Sequence, residues 1–450
     1  MPDVTKEAHR GAGTNSATTR AVRRLDGLRS LLAHAHEQLS FDVGFILWDG
    51  STVPPDLPAG ALAVAIADEG AVAALMRRPN LHTVANLWAT ARLDIRNGSI
   101  FDLVARRPKI RTRQTLRHLD KRLALATAAR FWLVPGGGPW PLEAIRGDKA
   151  RADGSAGANR ENVSYHYDLS NAFYASFLDP EMVYSCAYFA DGADDLATAQ
   201  RQKLDMICRK LRLAPGDSFL DIGCGWGALV CHAAQHYGAR AHGTTLSAQQ
   251  FAAATDKIVR LGLQDRVTVE LADYATLRGE YDRIASIGMF EHVGLAHHAA
   301  YFETIHRLLK PRGLYLHHAI TRRAKRDDRL FRKRSTEALA VVRYIFPGGE
   351  LDHVAMSVAN LERHGFEVHD VEGWREHYAR TTRLWHDRLL ANRDAAEREV
   401  GAVRTRMWLA YLAGMSLGFE RANLGVFQTL ASKHARGPSG LPPTRADLYR

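Results

Sequence analysis

The sequence predicts an α/β protein: a doubly wound parallel sheet, preceded by a smaller α+β N-terminal domain. Three observations carry this. Apolar strand-like runs alternate with helical patterns from about residue 164 onward, the first of them runs into the glycine-rich turn LDIGCGWG (220–227), and a separate strand-and-helix pattern fills residues 23–134. At 450 residues the chain is long enough for two domains, each with its own core.

Composition narrows the class. Hydrophobic residues make up 46% of the chain, yet every long apolar window is interrupted; ALAVAIADEGAVAALM (61–76) already carries Asp68 and Glu69. A membrane-spanning protein is therefore not expected. The first twenty residues lack an apolar core of the signal-peptide kind, and the four cysteines, Cys186, Cys208, Cys224 and Cys231, form no CxxC pair. Reduced thiols in a cytosolic setting, with no bound metal, are the expectation. A net charge of +11 invites a polyanionic partner, either nucleic acid or an anionic membrane surface, although a basic soluble protein with neither also fits.

In chain order, residues 1–22 are small and polar and are expected to be disordered. A basic amphipathic helix (21–39), strand-like FDVGFILWDG, ALAVAIA and ARLDIRNG, and a basic helix within 113–134 make the first domain. Residues 135–163, rich in Gly, Pro, Ala and charge, read as a linker. The second domain spans 164–436, with strands SFLDI, ARAHG, RVTVEL, YDRIASIG and GLYLHHAI, and helices beginning near Trp226, Ser247 and His297. Residues 437–450 read as a flexible tail.

The turn at 220–227 sits between a strand and a helix, where missing Cβ atoms let backbone approach a ligand at the positive helix end. A dinucleotide fingerprint spaces its glycines G-x-G-x-x-G and places an acid about 20 residues on. Here Gly223, Gly225 and Gly227 alternate, and ARAHG runs into TTLSAQQ without an acid, which lowers the nicotinamide reading. The glycine spacing alone is equally compatible with a turn that only packs strand on helix.

Eight blocks together resemble the cyclopropane fatty acid synthase and mycolic acid cyclopropane synthase family of S-adenosylmethionine-dependent methyltransferases. They are VSYHYDLSNAFYASFLDPEMVYSCAYF (163–189), LDIGCGWG, GTTLSAQQ (243–250), YDRIASIGMFEHVG (281–294), LLKPRGLYLHHAIT (308–321), YIFPGGEL (344–351), HYARTTRLWHDRL (377–389) and YLAGMSLGFERANLGVFQTLASK (411–433). The resemblance implies a Rossmann-like class I methyltransferase sheet with a helical lid insertion, and an N-terminal domain that helps engage lipid. It implies that Tyr184, Ser185, Asp221, Gly223, Gly225, Gly227, Thr245, Leu246, Gln250, Asp273 and Tyr274 hold S-adenosylmethionine. It also implies a bound bicarbonate ion as base, held by Cys186, Glu291, His318, Ile320 and Tyr378, with Ile320 acting through its backbone; Cys186, Glu291, His318 and Tyr378 are then the catalytic set.

The chemistry makes demands of its own. A cis alkene is a weak nucleophile, so the methyl must be strongly electrophilic, as on a sulfonium. Attack leaves a carbocation that aromatic faces stabilise in a dry pocket. Tyr167, Phe173, Tyr188, Phe290, Tyr344 and Trp385 are the candidates, with core packing the expected role for at least half. His317 and His318 are adjacent on a strand and point to opposite faces, and the family register selects His318. A zinc site from His292, His297, His298 and His318 lacks ligand spacing, and Cys224 reads as packing.

The expected function is transfer of a methylene from S-adenosylmethionine across a cis double bond of an unsaturated phospholipid acyl chain. The expected location is the cytoplasm, at the inner face of the membrane; the resemblance allows a homodimer without fixing the oligomeric state. One departure matters: Met415 stands where the family commonly has cysteine, which opens a methyl-branched or methylene product. A cofactor- and lipid-binding protein without turnover is the reading of another class. A nucleic-acid methyltransferase is disfavoured, because neither an Asn/Asp-Pro-Pro-Tyr/Phe motif nor a Pro-Cys is present. The segment TRRAKRDDRLFRKR (321–334) has eight basic residues against two acidic ones and is expected to be a loop that docks on anionic headgroups.

Overall fold

The structure, a computed structural model, describes residues 8–449 apart from 40–41, 107–119, 139, 141–168 and 193. The chain divides into two compact units, Met1–Ala144 and Ile145–Arg450. Most of the expected linker, and Tyr167, lie outside the described residues.

In the first unit, helix α1 (Ala8–Leu39) is followed by strands β1 (Gly44–Ile46), β2 (Thr52–Val53) and β3 (Ala63–Ile66), helices α2 (Glu69–Arg77) and α3 (Leu81–Ala89), strand β4 (Leu93–Arg96), and helices α4 (Ile100–Ala105) and α5 (Lys121–Phe131). Among the described residues the strands form one sheet ordered β2-β1-β3-β4. Leu25, Leu28 and Leu32 of α1 pack against Val72, Leu87 and Phe131, which is why this segment is helical despite its charge. The helix starts at Ala8, inside the stretch expected to be disordered. Once Leu25 to Leu32 are docked, adding a turn needs no new nucleus, so the helix propagates toward the N-terminus.

The second unit begins with helices α6 (Asn171–Ala175) and α7 (Leu196–Lys210), then β5 (Ser218–Ile222), α8 (Ala228–Tyr237), β6 (Arg240–Thr245), α9 (Ala248–Arg260), β7 (Val267–Leu271) and β8 (Tyr281–Ile287). It continues with α10 (His298–Leu308), β9 (Leu309–Arg322), α11 (Asp328–Arg332), α12 (Thr336–Tyr344), α13 (Val354–Arg363) and β10 (Phe366–Gly373). Helices α14 (Arg375–Ala391), α15 (Arg393–Val400) and α16 (Ala402–Glu420) form an insertion before the last strand, β11 (Leu424–Lys433).

Among the described residues the sheet has seven strands ordered β10-β11-β9-β8-β5-β6-β7. Strands β5 to β9 pair in parallel, and β11 runs antiparallel to both of its neighbours. Both faces are covered, so the central strands are apolar without alternation. Phe219 packs with Leu204 and Ile207 of α7 and Leu229 of α8, while Leu220 and Ile222 pack on the other face with Phe302 and Ile305 of α10. The chain turns from β7 back to β8 on the far side of β5, so the crevice opens at the carboxyl ends of β5 and β8.

Three further features differ from the sequence reading. β10 and β11 were not expected from sequence; their residues alternate charged, polar and apolar types, and only their pairing makes them strands. Segment 321–334 is not simply a loop: Asp327 caps a short helix, α11, by accepting from the Leu330 backbone N–H. The tail is anchored, with Leu448 buried, Arg212 paired with Asp447 and Arg445 paired with Asp370. Leu448→Ala should therefore cost about 2–4 kcal/mol, as for other buried leucines. Calorimetry checks this through the unfolding midpoint, and an unchanged midpoint contradicts the docking.

Candidate active site

The turn after β5 opens a cavity at the expected switch point. Tyr184, Ser185, Asp221, Gly223, Gly225, Thr245, Leu246, Gln250, Asp273 and Tyr274 all line it. Gly223 has a φ of +81°, and a Cβ there would come within 3.1 Å of the Met289 side chain, so both conformation and space require glycine. Gly227 does not line the cavity. It sits at the N-cap of α8 with a φ of +79°, where a Cβ would come within 3.1 Å of the Ala254 Cβ in α9. Its role is close packing of two helices, a requirement that the motif spacing hides.

Polar groups in the cavity are arranged by second partners. Thr245 Oγ1 donates to Gln250 Oε1 at 2.8 Å, which leaves the Gln250 amide NH₂ to donate elsewhere. Asp273 Oδ1 accepts from the Ala275 backbone at 2.9 Å and so stabilises the turn that carries Tyr274. Asp221 is buried, its Oδ1 has no hydrogen-bond partner, and burial raises its carboxyl to about 7 against the pull of Lys203. An acceptor of that kind at the bottom of a cavity suits a cationic ammonium, such as the amino group of S-adenosylmethionine.

Lys203, which the sequence reading missed, also lines this cavity. It is buried on α7, and its Nζ donates to Ser185 Oγ at 2.9 Å. Burial lowers its ammonium to about 8, while Asp179, Cys186 and Asp221 hold it up. Asp179 in turn accepts from the Glu181 and Val183 backbone N–H groups, each at 2.9 Å, shaping the turn that presents Tyr184 and Ser185. The available signal was a lysine on the apolar stripe Leu196, Ala199, Leu204, Ile207 of α7.

The residues matched to the base site are tied together in part, Glu291 to Ile320, and Cys186 and His318 each to Trp374. Glu291 lies between Met289 and His292, both of which line it. Glu291 Oε1 accepts from the Ile320 backbone N–H at 2.6 Å, while Oε2 is shut off from solvent without a partner. Burial raises this carboxyl to about 7, the Ile320 bond opposes the shift, and Asp352 adds to it. Cys186, Tyr378 and Ile320 belong to one apolar cluster. Trp374 joins that cluster to His318, since its carbonyl lies 3.8 Å from Cys186 Sγ and its ring 5.7 Å from the imidazole. Burial keeps Cys186 a thiol, raised well above the ordinary cysteine range, and holds His318 neutral. Met415 packs in the same cluster.

His317 points the other way, as alternation requires. Its imidazole meets Tyr315 at 3.1 Å and Ser357 at 3.3 Å. Of the aromatic candidates, Trp385 stands against Tyr184 at 5.1 Å, and Phe173 is buried beside Tyr174, Phe177 and Trp408. Tyr188 packs on Trp374, Tyr344 is buried, and Phe290 belongs to the sheet core with Tyr301 and Phe302. Tyr174, Phe177 and Trp408 were missed, because an aromatic residue in a helix reads as core until its neighbours are known. The His298 ring lies tilted against Phe290 with centroids 4.1 Å apart, and among the described residues no group of three or more His, Cys, Asp or Glu side chains could hold a metal ion.

A family model described as mycolic acid cyclopropane synthetase matches residues 155–429. The chain is 42% identical over 293 residues to a protein of Pseudomonas putida named as a probable fatty acid methyltransferase, covering 64% of this chain and 74% of the relative. It is 38% identical over 268 residues to the cyclopropane-fatty-acyl-phospholipid synthase of Escherichia coli K12, covering 60% of this chain and 66% of that protein. Among solved structures, a cyclopropane synthase from Mycobacterium tuberculosis is similar with a TM-score of 0.58 at 34% identity, over 61% of this chain and 98% of the other. A mycolic acid cyclopropane synthase solved with SAH and CTAB also gives 0.58, at 35% identity and the same coverage.

The cavity's electrostatics make a testable demand. Ionised Asp221 attracts an ammonium and protonated Asp221 does not, so affinity for S-adenosylhomocysteine should rise with pH through about 7. Titration calorimetry checks this, and Asp221→Asn should remove the rise and weaken binding about tenfold or more. A wild-type affinity that does not change with pH contradicts the assignment.

Proposed function

The chain belongs to the mycolic acid cyclopropane synthetase family and is an S-adenosylmethionine-dependent C-methyltransferase of lipid metabolism; from that premise we propose that it acts on the cis double bond of an unsaturated phospholipid acyl chain and closes a cyclopropane ring. The observation that carries this reading is that two buried atoms without partners, Glu291 Oε2 and His318 Nε2, belong to residues next to the cofactor cavity, Glu291 following Met289 and His318 accepting from the Gly288 backbone N–H through its carbonyl. A buried acceptor and a buried polar imidazole suit a site where a base takes a proton from carbon away from water.

When bound, S-adenosylmethionine would supply an electrophilic methyl, and Glu291 and His318 would hold a bicarbonate ion able to serve as the base. The fit is chemical: Glu291 Oε2 can accept, and His318 Nε2 and the Cys186 thiol are polar groups in the same buried region. The protein's own groups do the rest. Asp221 and Gln250 orient the cofactor, and the Tyr184 and Trp385 faces offset positive charge on the chain by about 2 kcal/mol in a desolvated pocket. Glu291 holds the base, and the proton transfer that base performs contributes roughly 100-fold to 10,000-fold in rate. Exclusion of water keeps the cation from ending as an alcohol.

A second reading has its own support. Met415 packs among Cys186 and Tyr378 where the family commonly has a cysteine, and the Pseudomonas putida relative is named for fatty acid methylation. A reshaped wall that blocks ring closure would let a hydride shift from the methylated carbon to the neighbouring cationic carbon, so that the charge moves beside the methyl; loss of a methyl proton then gives a methylene chain. Expression in a host lacking cyclopropane lipids, followed by mass spectrometry of fatty acid methyl esters, distinguishes the two. The ring reading expects a gain of one CH₂ with no unsaturation after double-bond derivatisation; a derivatised product supports the methylene reading. No new species would sink both and favour binding without turnover.

Glu291→Gln should lower turnover by about 100-fold or more while S-adenosylhomocysteine still binds. Full activity in this variant overturns the base assignment. The proposed partner is the anionic inner surface of the cytoplasmic membrane. No helix among the described residues is long and apolar enough to cross a membrane. Within 321–334, Arg322 stacks on Phe331 and Arg334 pairs with Glu350, whereas Arg323, Lys325, Arg326, Arg329, Arg332 and Lys333 are exposed, beside exposed Leu330 and Leu339. Each cation near such a surface contributes about 1 kcal/mol before screening. Replacing the six exposed cations by Ser should reduce co-sedimentation with anionic vesicles, and unchanged binding would contradict docking through this segment.

A further inference from the structure

Three neighbouring strands place a polar row beneath the proposed base site. The register pairs His318 of β9 with Gln428 of β11, and Gln428 with Glu372 of β10. Lys210, in the last turn of α7, enters this row from the helix layer and is buried. Its Nζ donates to the Glu372 carboxylate and to Gln428 Oε1, the latter at 2.7 Å. On the other side of the amide, Gln428 Nε2 lies 3.1 Å from His318 Nδ1.

Donor and acceptor chemistry then leaves one arrangement. An ammonium only donates, so it must face the Gln428 oxygen, and the amide NH₂ must face His318. An NH₂ also only donates, so His318 Nδ1 must present a lone pair. A neutral imidazole with a bare Nδ1 carries its hydrogen on Nε2, the buried nitrogen without a partner. Protonating Nδ1 would set two hydrogens against each other, so this row also resists the charged ring. Burial works against the Lys210 ammonium and the adjacent Glu372 carboxylate works for it, and this ion pair against the Gln428 oxygen keeps the amide from turning over.

We propose that Lys210 and Gln428 are positioning residues that lock His318 as an Nε2–H donor aimed at the anion in the base site, and so exclude His318 as the group that takes the proton. This rests on the reading of His318 as a base-site residue. Proton removal then falls to the anion and Glu291, with His318 contributing a fixed hydrogen bond. The arrangement also avoids placing an imidazolium in a pocket where a carbocation forms.

The test is nitrogen-15 NMR of the histidine-labelled full chain, with His318→Asn used to assign the ring signals. The wild type should show Nε2 protonated and Nδ1 bare from about pH 5.5 to about pH 8. Gln428→Glu replaces the donor with a carboxylate and should move the hydrogen to Nδ1 or charge the ring. It should lower kcat by about 100-fold with a smaller change in KM, while S-adenosylhomocysteine still binds. Lys210→Arg keeps a donor-only group and should keep the Nε2–H form; Lys210→Met should lose it. A wild-type ring with hydrogen on Nδ1, or an Nε2–H ring that survives Gln428→Glu, overturns the proposal. The underlying reading is tested separately: a His318→Ala variant with full turnover would remove His318 from the base site whatever its tautomer.

Discussion

The register of β9 between β8 and β11 is the constraint on which the site depends. His318 lies opposite Gln428 on one side and pairs with Ile287 on the other. A slip of one residue would exchange His318 with His317 and aim the wrong imidazole at the crevice. The same register sets the Ile320 backbone N–H against Glu291, so one strand supplies a side chain and a backbone group to the same place. It is paired on both edges and buried on both faces, which leaves it little freedom to drift.

Around that strand, the molecule buries charge and compensates each case differently. Glu291 and Asp221 are raised to about 7 by burial, so both are poised near neutrality rather than permanently ionised. Lys203 is held between Ser185, Asp179 and Asp221, and Lys210 between Glu372 and Gln428. Isolated charges in such surroundings would cost several kcal/mol each, and only partners make them tolerable. A purely structural core would have used apolar residues at these positions. Their presence around one crevice is what marks it as a place for chemistry.

Much of this was legible before any coordinates. The strands from SFLDI to GLYLHHAI are doubly buried apolar runs, and the spacing of Gly223 and Gly225 signalled backbone approach. What was illegible is tertiary in origin. Lys203, Lys210 and Gln428 are single polar residues in ordinary-looking segments, and nothing local says that all three are buried. Gly227 belonged to the motif by spacing but serves helix packing, and Phe290 sits next to Glu291 yet faces the sheet core. The tail looked unstructured because its anchors, Leu448 and Asp447, meet Arg209 and Arg212, partners far away in sequence.

The central claim is that a buried site here removes a proton from the transferred carbon. Supplying S-adenosylmethionine with a fully deuterated methyl, together with vesicles of unsaturated phospholipid, tests it directly by mass spectrometry of the product. Ring closure by deprotonation predicts that the added carbon has lost one deuterium. Retention of every deuterium on that carbon would contradict the account.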